Sequence, residues 1–444
     1  MRHAIPIVLL TFSVLSAAEP TTGFPLKDGD VWVMAGDSIT AQHLHSNYFE
    51  AFCFARYPKM KFAFRNSGVG GHTIPTTLAR FDYDIGAWKP TVVSVELGMN
   101  DSGGTPTERF IGNMGTMVSR IRAINARPVI LSASPVNDGV TMAKLNGRNQ
   151  RLSEYAIGLK SFCAKEGIPY ADQFHALIDI WGKNKPRESL ASALSNLKSA
   201  AADNSLAGAE HLRAFLAAQD RSPDKPVSMQ GDPVHPGPPG QLMMAAALLK
   251  ALGASGFVSS ATVDAGGTVT EAKGCAVTET NSNGTYLSFA RRDECLPFPI
   301  ADSARAVLPL APDVLELSSY TLRVTGLKDG DYQLKIDGIP GGRFSSKDLA
   351  AGINLTALPT DPQARAENPI TAQARAVLAA VSEKEGVVGM WRSLSQKAHA
   401  QGAAPELKDQ LASLTVKVEE ADSRIRDAAR PKKLRFEFSP AAVQ

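Results

Sequence analysis

The sequence predicts an α/β domain over residues 29–253 of the 444-residue chain, with a parallel sheet covered by helices on both faces. Two observations support this fold class. Short, almost continuous apolar runs alternate with segments of helical periodicity, as in parallel strands that are buried on both faces. Glycine and polar residues follow several of these runs directly, which is typical of sheets that bind ligands at the carboxyl ends of their strands.

Five apolar runs are the predicted strands of this sheet, at residues 31–35, 62–64, 91–97, 128–134 and 168–174. Helical spacing follows at residues 39–57, 110–124 and 240–252. Between the last predicted strand and the last of these helices, residues 183–230 are polar and rich in alanine. We expect one or two inserted helices there.

The pattern changes from residue 254 onward. Short runs at 268–272, 275–280 and 286–289 predict strands, and alternation on both sides of Lys328-Asp329-Gly330 predicts a β-hairpin over 320–337. Helical patterns at 370–398 and 405–428 precede a last strand at 434–438, which we expect to return to the β-rich part. We therefore divide this half into a β-rich module, 254–365, and a helical hairpin with a terminal strand, 366–444.

The first 18 residues have the features of a cleaved signal peptide. Arg2 and His3 precede an apolar run at 5–15, and the small residues Ser16, Ala17 and Ala18 follow it. The run is shorter than the roughly 20 residues that a membrane-spanning helix needs. The pattern predicts a secreted or periplasmic protein without stable membrane insertion.

Charge and cysteine content exclude several classes of protein. The net charge of +3 is spread along the chain, so the sequence lacks the basic footprint of a nucleic-acid-binding protein. None of the four cysteines has metal-ligand spacing. Cys53 and Cys163 lie in apolar helical segments and are predicted to be buried thiols. Cys275 and Cys295 flank a turn-rich stretch and could form a disulfide, although the sequence leaves all three connectivities of a four-cysteine chain open.

Four short motifs carry the chemistry. Ser38 is a nucleophile only if a base takes its proton, and the imidazole of His235 is suited to that task. Asp232, three residues before His235, can reach the other ring nitrogen and fix the tautomer. Each motif alone has a structural alternative, such as Ser38 merely capping a helix. The motifs are, in order, Gly36-Asp37-Ser38, Asn66 to Gly71, Gly98-Met99-Asn100-Asp101 and Asp232-Pro233-Val234-His235.

In order and type, these motifs resemble those of the SGNH (GDSL-like) hydrolase family. The resemblance implies a three-layer, flavodoxin-like hydrolase domain that needs no cofactor and no metal. It also implies an oxyanion hole formed by the backbone N–H groups of Ser38 and Gly71 and the side-chain amide of Asn100. Gly71 is preferred to Gly68 and Gly70 because the family pattern Asn-x-Gly-x-x-Gly-x-Thr places the donor glycine last.

Three other polar residues of the motifs are given structural interpretations. Asp37 and Asp101 are expected to hold loop backbone through side-chain hydrogen bonds. His72, next to the donor glycine, is expected to face solvent.

The resemblance implies an exported serine esterase that forms an acyl-enzyme on Ser38. We expect it to cleave short-chain esters, acetyl esters above all, on a small-molecule or polysaccharide substrate. The alternatives are a lysophospholipase or thioesterase with a longer acyl pocket, and a non-catalytic carbohydrate-binding or scaffold protein. Since every motif residue precedes Gly253, we expect residues 254–444 to be accessory and a chain ending there to fold and cleave esters. The natural substrate and the oligomeric state stay open.

Overall fold

The computed structural model describes residues 23–183, 196–220, 231–358, 366–402 and 404–441. The predicted signal peptide, residues 1–18, lies outside these ranges, as do 184–195 and 221–230 of the predicted insertion. The described part of the insertion contains two helices, at 196–202 and Ala209–Asp220. Among the described helices, none combines the length and apolar character needed to cross a membrane.

The central sheet has five parallel strands in the order β2-β1-β3-β4-β5. This order is that of flavodoxin-like sheets, so the predicted fold class is confirmed. The last strand is shorter than the sequence predicts, because Asp172 ends it by accepting the N–H of His175 and so capping a helix. The strands are β1 (Asp30–Gly36), β2 (Phe62–Gly68), β3 (Val92–Glu96), β4 (Arg127–Leu131) and β5 (Tyr170–Ala171).

Helices cover both faces of this sheet. Trp32 and Met34 of β1 share a core with α2 and α9, whereas Val33 and Ala35 share a second core with α4 and α5. The helices of this half are α1 (Ser38–Ala41), α2 (His45–Arg56), α3 (Ile74–Ala79), α4 (Thr107–Ala123), α5 (Gly147–Glu166), α6 (Gln173–Leu177), α7 (196–202), α8 (Ala209–Asp220) and α9 (Pro238–Ala251).

One predicted helix is wrong in its continuity. Residues 39–57 form two helices, α1 and α2, because the chain breaks at His43, whose φ is +56°. The break turns His45 toward the buried Gln241 of α9, whose side-chain oxygen accepts the His45 N–H at 2.9 Å. A tertiary contact therefore overrides the local helical pattern.

The β-rich part consists of two sheets that pack on one shared core. The first has the order β13-β10-β6-β7 and the second the order β12-β11-β14-β9-β8. The short helices α10 (Asp313–Glu316) and α11 (Ser346–Ala351) lie between strands. The strands are β6 (Phe257–Asp264), β7 (Val269–Lys273), β8 (Cys275–Ser282), β9 (Leu287–Asp293), β10 (Ser319–Thr325), β11 (Asp331–Ile336), β12 (Ile339–Ser345), β13 (Ile353–Asn354) and β14 (Lys433–Pro440).

The β-hairpin predicted over 320–337 does not form. Both strands exist, but β10 pairs in parallel with β6 of the first sheet, whereas β11 pairs with β12 and β14 of the second. The Lys328-Asp329-Gly330 segment carries the chain from one sheet to the other. A turn signal predicts that the chain reverses, and it leaves the hydrogen-bonding partner of each strand open.

The C-terminal helices are α12 (Pro369–Ala400) and α13 (Pro405–Ala428), and β14 then returns to the β-rich part between β11 and β9. The predicted β-rich and helical region is thus present, but its packing is not separate from that of residues 29–253. The indole rings of Trp391 (α12) and Trp88 stack with centroids 3.5 Å apart. Val377 and Val381 of α12 also belong to the core on the α2 face of the sheet.

The cysteines are all free. Cys53 and Cys163 are buried, as predicted. Cys275 and Cys295 are not joined, and each Sγ instead contacts a backbone oxygen of β6, that of Ser260 and that of Val258 respectively.

Candidate active site

The nucleophile turn joins β1 to α1. Asp37 caps this short helix by accepting the N–H of Ile39 at 2.9 Å, and Ser38 is its first residue. Glycine is required at Gly36, because a Cβ there would overlap Thr40 and lie 3.0 Å from the backbone oxygen of Glu96. The tight turn places the half-buried Ser38 at the carboxyl end of β1.

His235 and Asp232 lie on the loop that leads into α9. The Asp232 carboxylate accepts the backbone N–H groups of Val234 and His235 on one oxygen, and bonds to Nδ1 of His235 at 2.8 Å with the other. The second ring nitrogen, Nε2, lies 2.8 Å from Oγ of Ser38. With Nδ1–H donating to Asp232, Nε2 is free to accept the Ser38 proton.

Hydrogen bonds keep the Asp232 carboxylate ionised. Partial burial opposes ionisation, but the N–H groups of His235 and Val234 and the His235 ring together lower the pKa of Asp232 below its ordinary value. The ionised carboxylate stabilises the imidazolium that forms when His235 takes a proton.

Gln241 connects the nucleophile segment to the His235 loop. Its amide donates to the backbone oxygen of Pro236 at 3.1 Å and to the side chain of Gln42, while its oxygen accepts the His45 N–H. Gln241 is fully buried. Sequence reasoning missed this residue, because two of its partners, Gln42 and His45, lie almost 200 positions away in the chain.

The three predicted oxyanion donors differ in how far their N–H groups are already hydrogen-bonded. The N–H of Ser38 is the first of its helix and so has no intrahelical acceptor, and that of Gly71 donates to no acceptor in the described ranges. Gly71 has a φ of +77°, which favours glycine. The Asn100 amide donates to the backbone oxygen of His72 at 3.0 Å and makes a longer contact, 3.5 Å, with a carboxylate oxygen of Asp37. An oxyanion would have to replace this long contact to use the second N–H.

Hydrogen bonds from Arg148 and to Asp101 fix the turn that contains Asn100. Arg148 donates to the backbone oxygen of Met99 at 2.9 Å and to the Ser102 hydroxyl at 3.0 Å. Asp101 accepts the N–H of Ile74 at 3.3 Å, which agrees with the structural role expected for it.

Buried carboxyl groups lie beneath the nucleophile turn. Burial raises the pKa of Glu96 well above its ordinary range and that of Asp37 to about 6, and it also raises the pKa of Asp101. Glu96 accepts the Thr40 hydroxyl at 3.0 Å. The raised pKa values reduce the ionised fraction of these carboxyl groups, and so the negative charge close to a site where an oxyanion would develop.

A second Ser–His–Asp cluster lies elsewhere in the same half. Asp172 bonds to Nδ1 of His175 at 2.8 Å and accepts the His175 N–H, as Asp232 does for His235. Nε2 of His175 lies 3.4 Å from Oγ of Ser153. Ser153 is buried within α5, where its N–H is part of the helical ladder. The serine of this cluster therefore has no free backbone N–H beside it, unlike Ser38. Ser153 and Asp172 are suitable control positions for substitutions of Ser38 and Asp232.

His72, which was expected to face solvent, is half-buried and makes contacts that sequence reasoning missed. Instead of simply facing solvent, its ring nitrogen Nδ1 accepts a hydrogen bond from Arg80 at 3.2 Å, and its backbone oxygen holds Asn100. Arg80 lies on the turn after α3, and no local pattern in the sequence indicates this contact.

A comparison with protein families identifies the N-terminal half of the chain. The model of the GDSL-like lipase/acylhydrolase family matches residues 34–243, a range that includes every predicted site residue. A search of curated proteins finds no match.

Solved structures are similar to this chain over different lengths. A gut microbial diltiazem-metabolizing enzyme is similar over 95% of this chain and all of its own, with 21% identity and a TM-score of 0.68. An acetylxylan esterase from Geobacillus stearothermophilus matches 51% of this chain and 95% of its own at 17% identity and a TM-score of 0.37. The first likeness shows that the hydrolase half and the C-terminal region occur together in one fold. Residues 34–243 belong to the GDSL-like lipase/acylhydrolase family, and the protein is accordingly a carboxylic ester hydrolase.

Proposed function

We propose that this protein is an exported serine esterase that removes short acyl groups, acetyl above all, from carbohydrate esters. The observation that carries the proposal is the continuous hydrogen-bonded chain from Asp232 through His235 to Ser38, with both contacts at 2.8 Å. The predicted oxyanion donors complete the proposal, because acyl transfer needs an activated nucleophile and also donors for the developing oxyanion.

The reaction proceeds in two halves. Oγ of Ser38 attacks the ester carbonyl as His235 takes its proton, and the oxyanion is bound by the N–H groups of Ser38 and Gly71 and by Asn100. His235 then gives the proton to the leaving alkoxide, which leaves an acyl group on Ser38. Water, deprotonated by His235, attacks this acyl-enzyme and releases the carboxylic acid.

The walls near Ser38 favour a short acyl group. Gly70 lies against the nucleophile, since a Cβ on Gly70 would be 3.9 Å from that of Ser38. Met99, the largest apolar side chain of the motifs, is fully buried in the core and offers no surface to a substrate. Val69 and Val234 are half-buried. A long acyl chain needs a broader apolar surface than these provide.

Replacement of the nucleophile is the first test. We expect Ser38→Ala to lower kcat/KM for p-nitrophenyl acetate by roughly a thousandfold or more, with the thermal unfolding transition retained. Ser153→Ala removes the serine of the second cluster and should leave kcat/KM within about twofold, because that cluster has no free oxyanion donors. A folded Ser38→Ala protein with wild-type turnover would refute the nucleophile assignment.

Chain-length preference tests the substrate class. We expect a higher kcat/KM for p-nitrophenyl acetate than for p-nitrophenyl octanoate, and release of acetate from acetylated xylan. Faster cleavage of the octanoate would favour the lysophospholipase or thioesterase alternative. Absence of turnover on every ester would favour the non-catalytic carbohydrate-binding alternative.

Export rests on the sequence of the first 18 residues. Expression of the full chain in a bacterium, followed by cell fractionation and N-terminal sequencing, should give a processed protein outside the cytoplasm. Unprocessed protein confined to the cytoplasm would contradict this part of the proposal.

A further inference from the structure

The helical hairpin α12–α13 covers the open edge of the central sheet. Strand β2 is the outermost strand, and an edge strand exposes unpaired backbone groups. Cationic side chains of the hairpin bind its backbone oxygens in sequence: Arg426 binds that of Phe62 at 3.3 Å and Lys384 that of Phe64 at 2.9 Å. Arg392 binds that of Gly68 at 3.1 Å, where β2 passes into the glycine turn of the site.

Arg392 also holds Asp84 with its planar guanidinium. Its Nε and Nη2 donate to the two carboxylate oxygens of Asp84 at 2.6 and 2.8 Å. The Asp84 side chain is only 4% exposed and forms a second ion pair with Arg80. A bidentate pair fixes direction as well as distance, which a lysine could not do. The position of Arg80 therefore depends on a side chain of the C-terminal hairpin.

Hydrogen bonds through His72 connect Arg80 to the predicted oxyanion donors. Its Nε donates to Nδ1 of His72 at 3.2 Å, and the His72 backbone oxygen accepts the Asn100 amide at 3.0 Å. His72 also follows Gly71 directly in the chain. Both donors outside the nucleophile turn are thus connected to His72.

We propose that Arg392 is a positioning residue for ester hydrolysis, and that it acts through Asp84, Arg80 and His72 to hold the Gly71 N–H and the Asn100 amide in place. This inference rests on the proposed function, because it concerns the same oxyanion hole. It gives one side chain of the C-terminal hairpin a supporting role at the oxyanion hole. Misplacement of a reacting geometry by about 1 Å can cost on the order of a hundredfold in rate.

The test compares Arg392→Ala with Arg375→Ala. Arg375 lies on the same helix but is 71% exposed and pairs with Glu367 alone. Loss of Arg392 leaves Asp84 paired with Arg80, so we expect the variant to fold. With p-nitrophenyl acetate, and with active sites counted by a fluorophosphonate, kcat of Arg392→Ala should fall roughly 10- to 100-fold while KM changes by less than about twofold. Millimolar guanidinium should restore part of kcat in Arg392→Ala only. Equal kcat values per active site in the two variants would overturn the inference.

A double-mutant cycle distinguishes an effect of Arg392 on the Asn100 donor from a general effect of Arg392 on the stability of the fold. If Arg392 acts through the Asn100 donor, adding Arg392→Ala to Asn100→Ala should lower kcat by much less than it does in the wild type. A full multiplicative loss would overturn the inference.

If Arg392→Ala fails to fold, His72→Ala tests the same inference, because it removes the half-buried ring that Arg80 contacts. We expect His72→Ala to lower kcat and to leave KM unchanged. A wild-type kcat in His72→Ala would overturn the inference.

Failure of the proposed function is distinguishable from failure of this inference. A wild-type protein without esterase activity, or a fully active Ser38→Ala protein, would refute the function itself. Wild-type rates in the Arg392 and His72 variants, together with an inactive Ser38→Ala protein, would refute only the positioning role.

Discussion

At the scale of single residues, Asp232 uses its two carboxylate oxygens for different tasks. One oxygen accepts two backbone N–H groups and shapes the loop, while the other orients the His235 ring. The Asp232 side chain is 59% exposed, unlike the buried aspartate of many triads. Solvent screens its charge, so the contribution of that charge to catalysis should be moderate.

We therefore expect Asp232→Asn to lower kcat/KM for p-nitrophenyl acetate by on the order of a hundredfold, less than the roughly 10⁴-fold cost of the same change at a buried triad aspartate. Asparagine keeps an oxygen for the two backbone N–H groups, so the loop should keep its shape. Asp172→Asn makes the same change in the second cluster and should leave the rate unchanged. A rate for Asp232→Asn as low as that of Ser38→Ala would show that the carboxylate is indispensable.

The sequence was sufficient to predict that Ser38, Asn100, Asp232 and His235 belong to one active site. Each belongs to a short motif, and three of the motifs follow strands whose carboxyl ends meet at one edge of the sheet. The supporting residues could not be found in this way. His72 depends on Arg80, and Gln241 on His45, through contacts between segments that no local pattern relates.

At the scale of elements, α12 is fixed by an ion cluster that contains a fully buried lysine. Lys384 donates to both carboxylate oxygens of Glu50 on α2, at 2.7 and 2.6 Å, and pairs with its neighbour Glu385 at 2.8 Å. Burial would raise the pKa of Glu385, but Lys384 and His43 outweigh it and hold that pKa at about 2. Burial raises the pKa of Glu50 to about 8, despite the opposing charge of Lys384.

These pKa values give Glu385 a definite pH signature. Its folded pKa lies below its ordinary value of 4.5, so its stabilising effect is complete above about pH 4.5 and is lost as pH falls toward 2. We expect Glu385→Gln to lower the free energy of unfolding at pH 7 by up to about 3 kcal/mol, and by progressively less on acidification. Urea denaturation at several pH values measures this difference. Glu383→Gln, at an exposed neighbouring position, should have little effect, and a pH-independent deficit in Glu385→Gln would contradict the assignment.

The helices of the hairpin were predicted to within two residues at each end, since amphipathic periodicity is a local property. Their docking was not predictable, because Lys384 and Glu385 read as surface charges in the sequence but are buried against α2. The predicted pairing of β10 with β11 was wrong for a related reason. The partner of each strand depends on packing throughout the β-rich part, which a local sequence pattern does not reveal.

At the scale of the whole molecule, one packed structure extends across residue 253. The Phe52 ring of α2 meets that of Phe298 edge-on, with centroids 5.2 Å apart. Arg56, at the end of the same helix, binds the backbone oxygens of Ser255, Phe257 and Leu317. The last strand, β14, lies in the middle of a sheet whose other strands precede it by nearly a hundred residues or more. The motifs all precede Gly253, but the core does not end there.

Truncation should therefore fail, contrary to what the position of the motifs alone suggests. A chain of residues 23–253 would expose the partners of Phe298, Trp391 and Lys384, including the Glu50 carboxyl group deep in the core. Loss of one partner of a buried ion pair typically costs about 3–5 kcal/mol, a large part of the stability of most domains. We expect this chain to lack a cooperative unfolding transition and esterase activity, whereas a chain of residues 23–441 keeps both. Calorimetry and p-nitrophenyl acetate hydrolysis on the two proteins measure this. A folded 23–253 chain with full kcat would contradict both this expectation and the positioning role of Arg392.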